Sequence, residues 1–324
     1  MAEPEQDFSN RQLNQAQQQA VYEDEIDLRE LFMVLWRGKW VIVVITFMAA
    51  VTSVFVALSL PNVYRAEALL APANTEDSGG LAGLASQYGG LASLAGINLS
   101  GSGADKTALG IEVLQSRKFI GDFVARRDIL VPLMAVKGWE LKNNQLLYDN
   151  DLYDSNAKKW VRDVEPPRLV QPSALEAYEA FREVLDVSQS SETGFIKVSV
   201  EHYSPYIAKQ WVDWLIEDIN FEIKQQDVIE AESSIGYIQE QLQSTSLTEL
   251  QAVFYQLIEE QTKTVMIAKS RPEYLFRSLD PAVVAEKKEK PRRALICILG
   301  VFFGFCLGFF FVIGRHVYVQ FIKG

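Results

Sequence analysis

Two stretches of the chain carry no charge: VIVVITFMAAVTSVFVALSL at residues 41–60 and ALICILGVFFGFCLGFFFVIG at residues 294–314. Both are apolar all round the helix instead of along one face, unlike a surface helix of a soluble domain. A bilayer core about 30 Å thick is spanned by about 20 residues of helix. Both stretches therefore predict transmembrane helices. The first contains only Thr46, Thr52, Ser53 and Ser59 as polar groups. Helical hydroxyls of this kind return to the i−4 carbonyl. Pro61 and Asn62 end the segment. It starts too late, runs too long and lacks an A-x-A site, which argues against a cleaved signal peptide.

Between the spans the pattern becomes periodic. Residues 1–25 are polar and Gln-rich and predict a disordered tail. Leu28, Leu31, Phe32, Leu35 and Trp36 then fall at helical spacing. They predict an amphipathic juxtamembrane helix over 26–40, with Trp36 and Trp40 at the interface. NVYRAEALLAP, residues 62–72, alternates as a strand. The Gly-rich stretch 78–104 reads as a loop. Being apolar and uncharged, it also suits contact with lipid, the lining of a cavity, or ordering between subunits.

Residues 109–127 predict a helix and 137–172 a loop-rich tract. Ser173 with Glu176 forms a capping-box signature ahead of a helix whose face is Leu175, Tyr178, Phe181 and Leu185. The turn at 191–194 leads into the period-2 strand FIKVSVEHY. From about 205 to 270 apolar residues hold helical spacing almost without interruption, predicting a long helix. It either breaks near Gly236 or Ser244–Ser246 or projects as a stalk. Leu247, Leu250, Phe254 and Leu257 form a heptad-like stripe suited to packing against other helices. In the second span Gly300, Gly304 and Gly308 recur every fourth residue. Such a strip lets another helix approach closely. A stripe on a thin projection, together with that strip, points to a closed ring of identical subunits.

Charge refines the picture. Residues 61–290 contain 34 acids against 23 Lys and Arg, so they carry the whole net charge of −11. That argues against nucleic acid as a partner. Arg29, Arg37 and Lys39 precede the first span and Arg65 follows it, placing the N-terminus in the cytoplasm. Lys287, Lys288, Lys290, Arg292 and Arg293 precede the second span and give the opposite vote. The first helix governs, so the central region lies outside the cytoplasm. The basic residues, with Pro281 and Pro291, become a collar at the membrane exit, facing lipid headgroups or an acidic saccharide-lipid.

Candidate chemistry is sparse. Cys297 and Cys306 both lie in the second span, nine residues apart and facing opposite sides. His202 and His316 are isolated. No metal spacing, nucleophile elbow or phosphate loop occurs, so no enzyme, cofactor or metal is expected.

The ordered combination DEIDLRELFMVLWRGKWVIVV, NVYRAEALLAP, the long helix from LTELQAVFYQ, the Lys-rich collar and ALICILGVFFGFCLG resembles the Wzz family of chain length determinant proteins. The resemblance runs from Asp24 to Gly314. The family often carries proline where this chain has Ala285. It implies an α+β fold with two transmembrane helices, 41–60 and 294–314, flanking a periplasmic co-polymerase domain over 61–293. That domain would have an α/β base, a long projecting helix at about 205–270, and a cytoplasmic stub at 315–324. It implies a ring-shaped inner-membrane scaffold without catalytic activity. The ring would set the modal length of O-antigen, or a related lipid-linked polysaccharide, made by a Wzy-type polymerase. Its partners would be itself, that polymerase, the lipid-linked glycan and membrane lipids. The alternative is the transmembrane adaptor of a capsule or exopolysaccharide tyrosine autokinase. The ten residues after the second span leave no room for a kinase, which would then be a separate protein. A two-span sensor is a further rival, and the short tails offer it no output domain.

Overall fold

The computed structural model describes residues 33, 35–73, 102–244 and 248–323. The tail 1–25, most of the juxtamembrane helix, most of the Gly-rich stretch and Leu247 lie outside the described residues. In chain order the elements begin with helix α1 (Lys39–Ser59), strand β1 (Tyr64–Pro72) and helices α2 (Ser102–Leu114), α3 (Arg117–Arg126) and α4 (Leu130–Met134). Four short strands follow: β2 (Val136–Glu140), β3 (Gln145–Tyr148), β4 (Tyr153–Asp154) and β5 (Lys159–Trp160). Then come α5 (Ala174–Val184), β6 (Leu185–Gln189), β7 (Ile196–His202), α6 (Pro205–Ser244), α7 (Thr248–Ser270), β8 (Phe276–Asp280) and α8 (Arg293–Lys323). The chain forms two compact units, residues 61–290 and the flanking segments 1–60 with 291–324.

The central unit is built on an antiparallel sheet of order β6-β7-β1-β8. Alternation in β1 turns Ala66, Ala68 and Leu70 inward. The register sets them opposite Val200, Val198 and Ile196 of β7, which are also buried, so one apolar face is continuous across the pair. Helices cover that face. Trp211, Leu215 and Ile219 of α6, spaced i, i+4 and i+8, are fully buried. Phe123 of α3 lies 5.3 Å from Phe181 of α5, which lies 5.7 Å from Trp211. Three helices thus meet through one chain of rings.

Local chemistry sets the breaks. The predicted 109–127 helix is two helices, because Ser116 caps α3 by accepting from the Phe119 amide at 3.2 Å. The capping box of α5 is present, with Ser173 and Glu176 bonded reciprocally. The tract 137–172 contains two hairpins, β2–β3 and β4–β5. Their strands are too short to show a period-2 signal.

Two buried polar side chains of this unit are closely matched. Asn220 accepts from the Leu275 and Phe276 amides at 2.7 and 2.9 Å and donates to the carbonyls of Ile216 and Phe276, both at 3.0 Å. It clamps the start of β8 to α6. Asp218 takes two bonds from Arg127, whose guanidinium also lies over the Trp214 ring.

The predicted 205–270 helix is two helices that pack on each other, α6 and the returning α7. α6 runs through Gly236, whose missing side chain faces open space, and ends at Ser244. Ser and Thr compete for backbone hydrogen bonds, and the Ser244 hydroxyl donates to the Gln241 carbonyl. Among the described residues from 232 to 267 none is buried, so this part of the α6–α7 hairpin is an arm outside the core.

Candidate functional site: a glycine-lined helix pair and an apolar arm

α1 and α8 are both long and apolar enough to cross a membrane. They pack antiparallel through small residues. A methyl group placed on Gly304 would lie 2.5 Å from Ala49 Cβ and 3.2 Å from Thr46 Cα. On Gly308 it would lie 3.0 Å from Ile42 Cα, and on Gly300 it would overlap Ser53. The strip that the sequence offered to another helix is therefore occupied by α1 of the same chain. Gly38 extends the seam toward Val312. The helices approach closely because no side chain intervenes, which is how small residues favour packing in lipid. Sequence reasoning identified the three glycines and missed the facing set Ile42, Thr46, Ala49 and Ser53. Their spacing of four, three and four residues, with three small side chains, was the available signal.

α8 continues past Gly314 to Lys323, so most of the predicted stub 315–324 is helical. Its sequence HVYVQFI contains no helix breaker.

The collar residues have divided roles. In the central unit, Pro281 follows β8 and is exposed, as are Lys287 and Lys288. Lys290 reaches back to Glu201 at 2.6 Å, and Arg65 holds the other carboxylate oxygen at 2.8 Å. Burial opposes ionisation of Glu201, but these two cations outweigh it and hold the carboxyl below its ordinary value. The Val63 amide donates to the Lys290 carbonyl, so the entering and leaving segments of this unit run side by side. In the helix pair, Pro291 and Arg292 precede α8, and the Arg293 guanidinium donates to the Ala57 carbonyl at 3.0 Å.

On the arm, Leu250 and Leu257 are 45% and 38% exposed, and Phe254 is half-buried. Among the described residues, the hairpin leaves these two leucines exposed. His202 is structural: its Nδ1 accepts from the Ser204 amide and its Nε2 donates to the Pro132 carbonyl, while burial pushes its pKa down. Among the described residues no group of His, Cys, Asp and Glu is placed to hold a metal ion.

Residues 24–126 match the family model of the chain length determinant protein, Wzz. Among solved structures it is similar to a full-length bacterial polysaccharide co-polymerase, at 14% identity and a TM-score of 0.39, over 92% of this chain and 99% of that one. It is also similar to a fragment of WzzB, a polysaccharide co-polymerase from Salmonella Typhimurium, at 13% identity and a TM-score of 0.33, over 70% and 99%. No curated protein matches.

The Wzz match includes α1, β1, α2 and α3 and ends on the last residue of α3. It takes in Ile42, Thr46, Ala49 and Ser53 but not the glycines that face them. The arm and the collar also lie beyond it.

Proposed function

We propose that the protein sets the modal length of O-antigen, or of a related lipid-linked polysaccharide, made by a Wzy-type polymerase. It acts as a homo-oligomeric ring in the bacterial inner membrane, without catalysis of its own. Both termini are cytoplasmic, and the central unit is periplasmic.

The Wzz match over residues 24–126 carries this reading. Three further features support it. Paired apolar helices anchor the chain at both of its ends. Among the described residues the arm leaves Leu250 and Leu257 exposed, and a second copy would cover them. Exposed Lys287, Lys288 and Arg292 are suited to anionic headgroups. Scaffolding of the polymerase then tunes how long a growing glycan is retained before transfer.

Deletion of the gene, followed by a gel ladder of the surface polysaccharide, tests this. Loss of the modal band, restored by the intact gene, is the expected result. A ladder unchanged by deletion would sink the proposal.

A further inference from the structure

We propose that the cleft between the β2–β3 hairpin and the first turn of α6 binds an uncharged stretch of glycan. This rests on the reading that the protein acts on a polysaccharide.

The cleft has a volume of about 290 Å³ and is lined by Asn144, Leu146, Ser204, Tyr206, Ile207 and Gln210. That is near the lower end of small-ligand sites, about 300 Å³ and upward. None of the six residues is charged, so the cleft has no electrostatic means of selecting a phosphate or another anion.

What it offers is rings and hydrogen-bonding groups. Tyr206 is 50% exposed, and its ring centre lies 6.1 Å from that of Trp139, which lies 5.8 Å from that of Tyr64. These rings join β1, β2 and α6 into a rigid aromatic wall. Aromatic side chains supply large contact area at low entropic cost, which suits the C–H face of a pyranose.

Polar groups stand beside this wall. Ser204 is 2% exposed, and its backbone N–H donates to His202 Nδ1, which fixes this residue of the cleft lining. The Asn144 oxygen accepts the Trp139 indole N–H at 2.8 Å, which orients the amide and leaves its NH₂ free to donate. Asn144 stands at a backbone φ of 50°, a left-handed turn position that Asn tolerates. Gln210 is exposed. Amides and hydroxyls that each donate and accept match neighbouring sugar hydroxyls, which do the same.

The test uses the full chain in detergent micelles. The probe is the host's surface polysaccharide, freed of lipid by mild acid and fractionated to short lengths. Saturation-transfer NMR should show transfer to sugar C–H protons, insensitive to high salt. Tyr206→Ala and Gln210→Ala should each weaken binding about tenfold or more. Tyr237→Ala, an exposed tyrosine on the arm, should leave it unchanged. If Tyr206→Ala fails to fold, Gln210→Ala decides. Absence of transfer, equal binding by both cleft variants, or binding abolished by salt would overturn the proposal. An unchanged ladder on gene deletion would remove the chain-length reading alone, because binding is measured on the purified protein.

Discussion

The guanidinium of Arg293 donates to the carbonyl of Ala57 across the α1–α8 pair. The reason lies four residues beyond Ala57. A helical carbonyl accepts from the amide at i+4, and position 61 is proline, which has no N–H. Ala57 is 2% exposed, so water cannot readily take over. One basic residue therefore completes a helix end that the sequence leaves open.

Arg293→Leu should destabilise the helix pair by about 1–3 kcal/mol, the range for leaving a buried acceptor unpaired. Arg293→Lys should recover part of the loss. Thermal unfolding of the purified protein in detergent measures both. Equal melting temperatures for Leu, Lys and Arg at this position would refute the role.

Gly304→Leu should force α1 and α8 apart, because even a methyl group there meets Ala49 and the Thr46 backbone. Overpacking of this kind costs about 1–3 kcal/mol. Gly314→Ala is the control, since nothing lies within 4 Å of its added carbon. Paired spin labels near positions 46 and 304 should report a wider separation in the first variant only. The polysaccharide ladder should shift with it.

Asn220→Ala should be among the most damaging single changes in the central unit. It strips partners from the Leu275 amide and from both the amide and carbonyl of Phe276. With about 1–3 kcal/mol for each buried group left unpaired, a loss of about 3 kcal/mol or more is expected. Asn220→Asp keeps the two acceptor bonds but buries a charge and loses the donor, so it should not rescue. The unfolding temperature decides between these outcomes.

Glu176 predicts an acid-dependent contribution to stability. Hydrogen bonds from Arg162, then from the Ser173 amide, lower its pKa from an ordinary 4.5 to about 2. A carboxyl whose folded-state pKa is depressed stabilises the fold fully above the unfolded value. That contribution fades as pH falls from about 4.5 toward 2. Melting temperature followed over that range should drop more steeply for the native chain than for Glu176→Gln. Parallel curves would contradict the assignment.

Much of this architecture is legible in the chain. The uncharged lengths of 41–60 and 294–314, the alternation of 62–72 and the Ser173–Glu176 signature are local patterns, and local patterns survive folding. What stayed hidden depends on groups distant in sequence. The Arg65–Glu201–Lys290 cluster joins three segments whose charges each look like solvated surface. Arg293 reads as one more basic residue at a membrane edge until the missing amide of Pro61 is considered. The β2–β3 and β4–β5 hairpins were masked by strands of two to five residues among Asn and Asp. The apolar spacing over 205–270 left two break points and an unbroken stalk open, and α6 ends at the second of those points, Ser244.

The arm supplies the remaining prediction, which bears on assembly. Leu250 and Leu257 sit on α7, where the described residues around them leave their side chains 45% and 38% exposed. Replacing each with Asp should barely alter the folding of one chain, because surface substitutions usually fall within about 0.5 kcal/mol. The same changes place charge on the stripe that a second copy would cover, where an unpaired carboxylate is disfavoured. Light scattering of the detergent-solubilised protein should then show a smaller oligomer at an unchanged melting temperature. The modal band of the polysaccharide should broaden or disappear in cells carrying the double variant. If the oligomer keeps its mass while the ladder changes, the arm acts on the glycan or the polymerase and not on a neighbouring subunit. If neither moves, the stripe has no part in assembly.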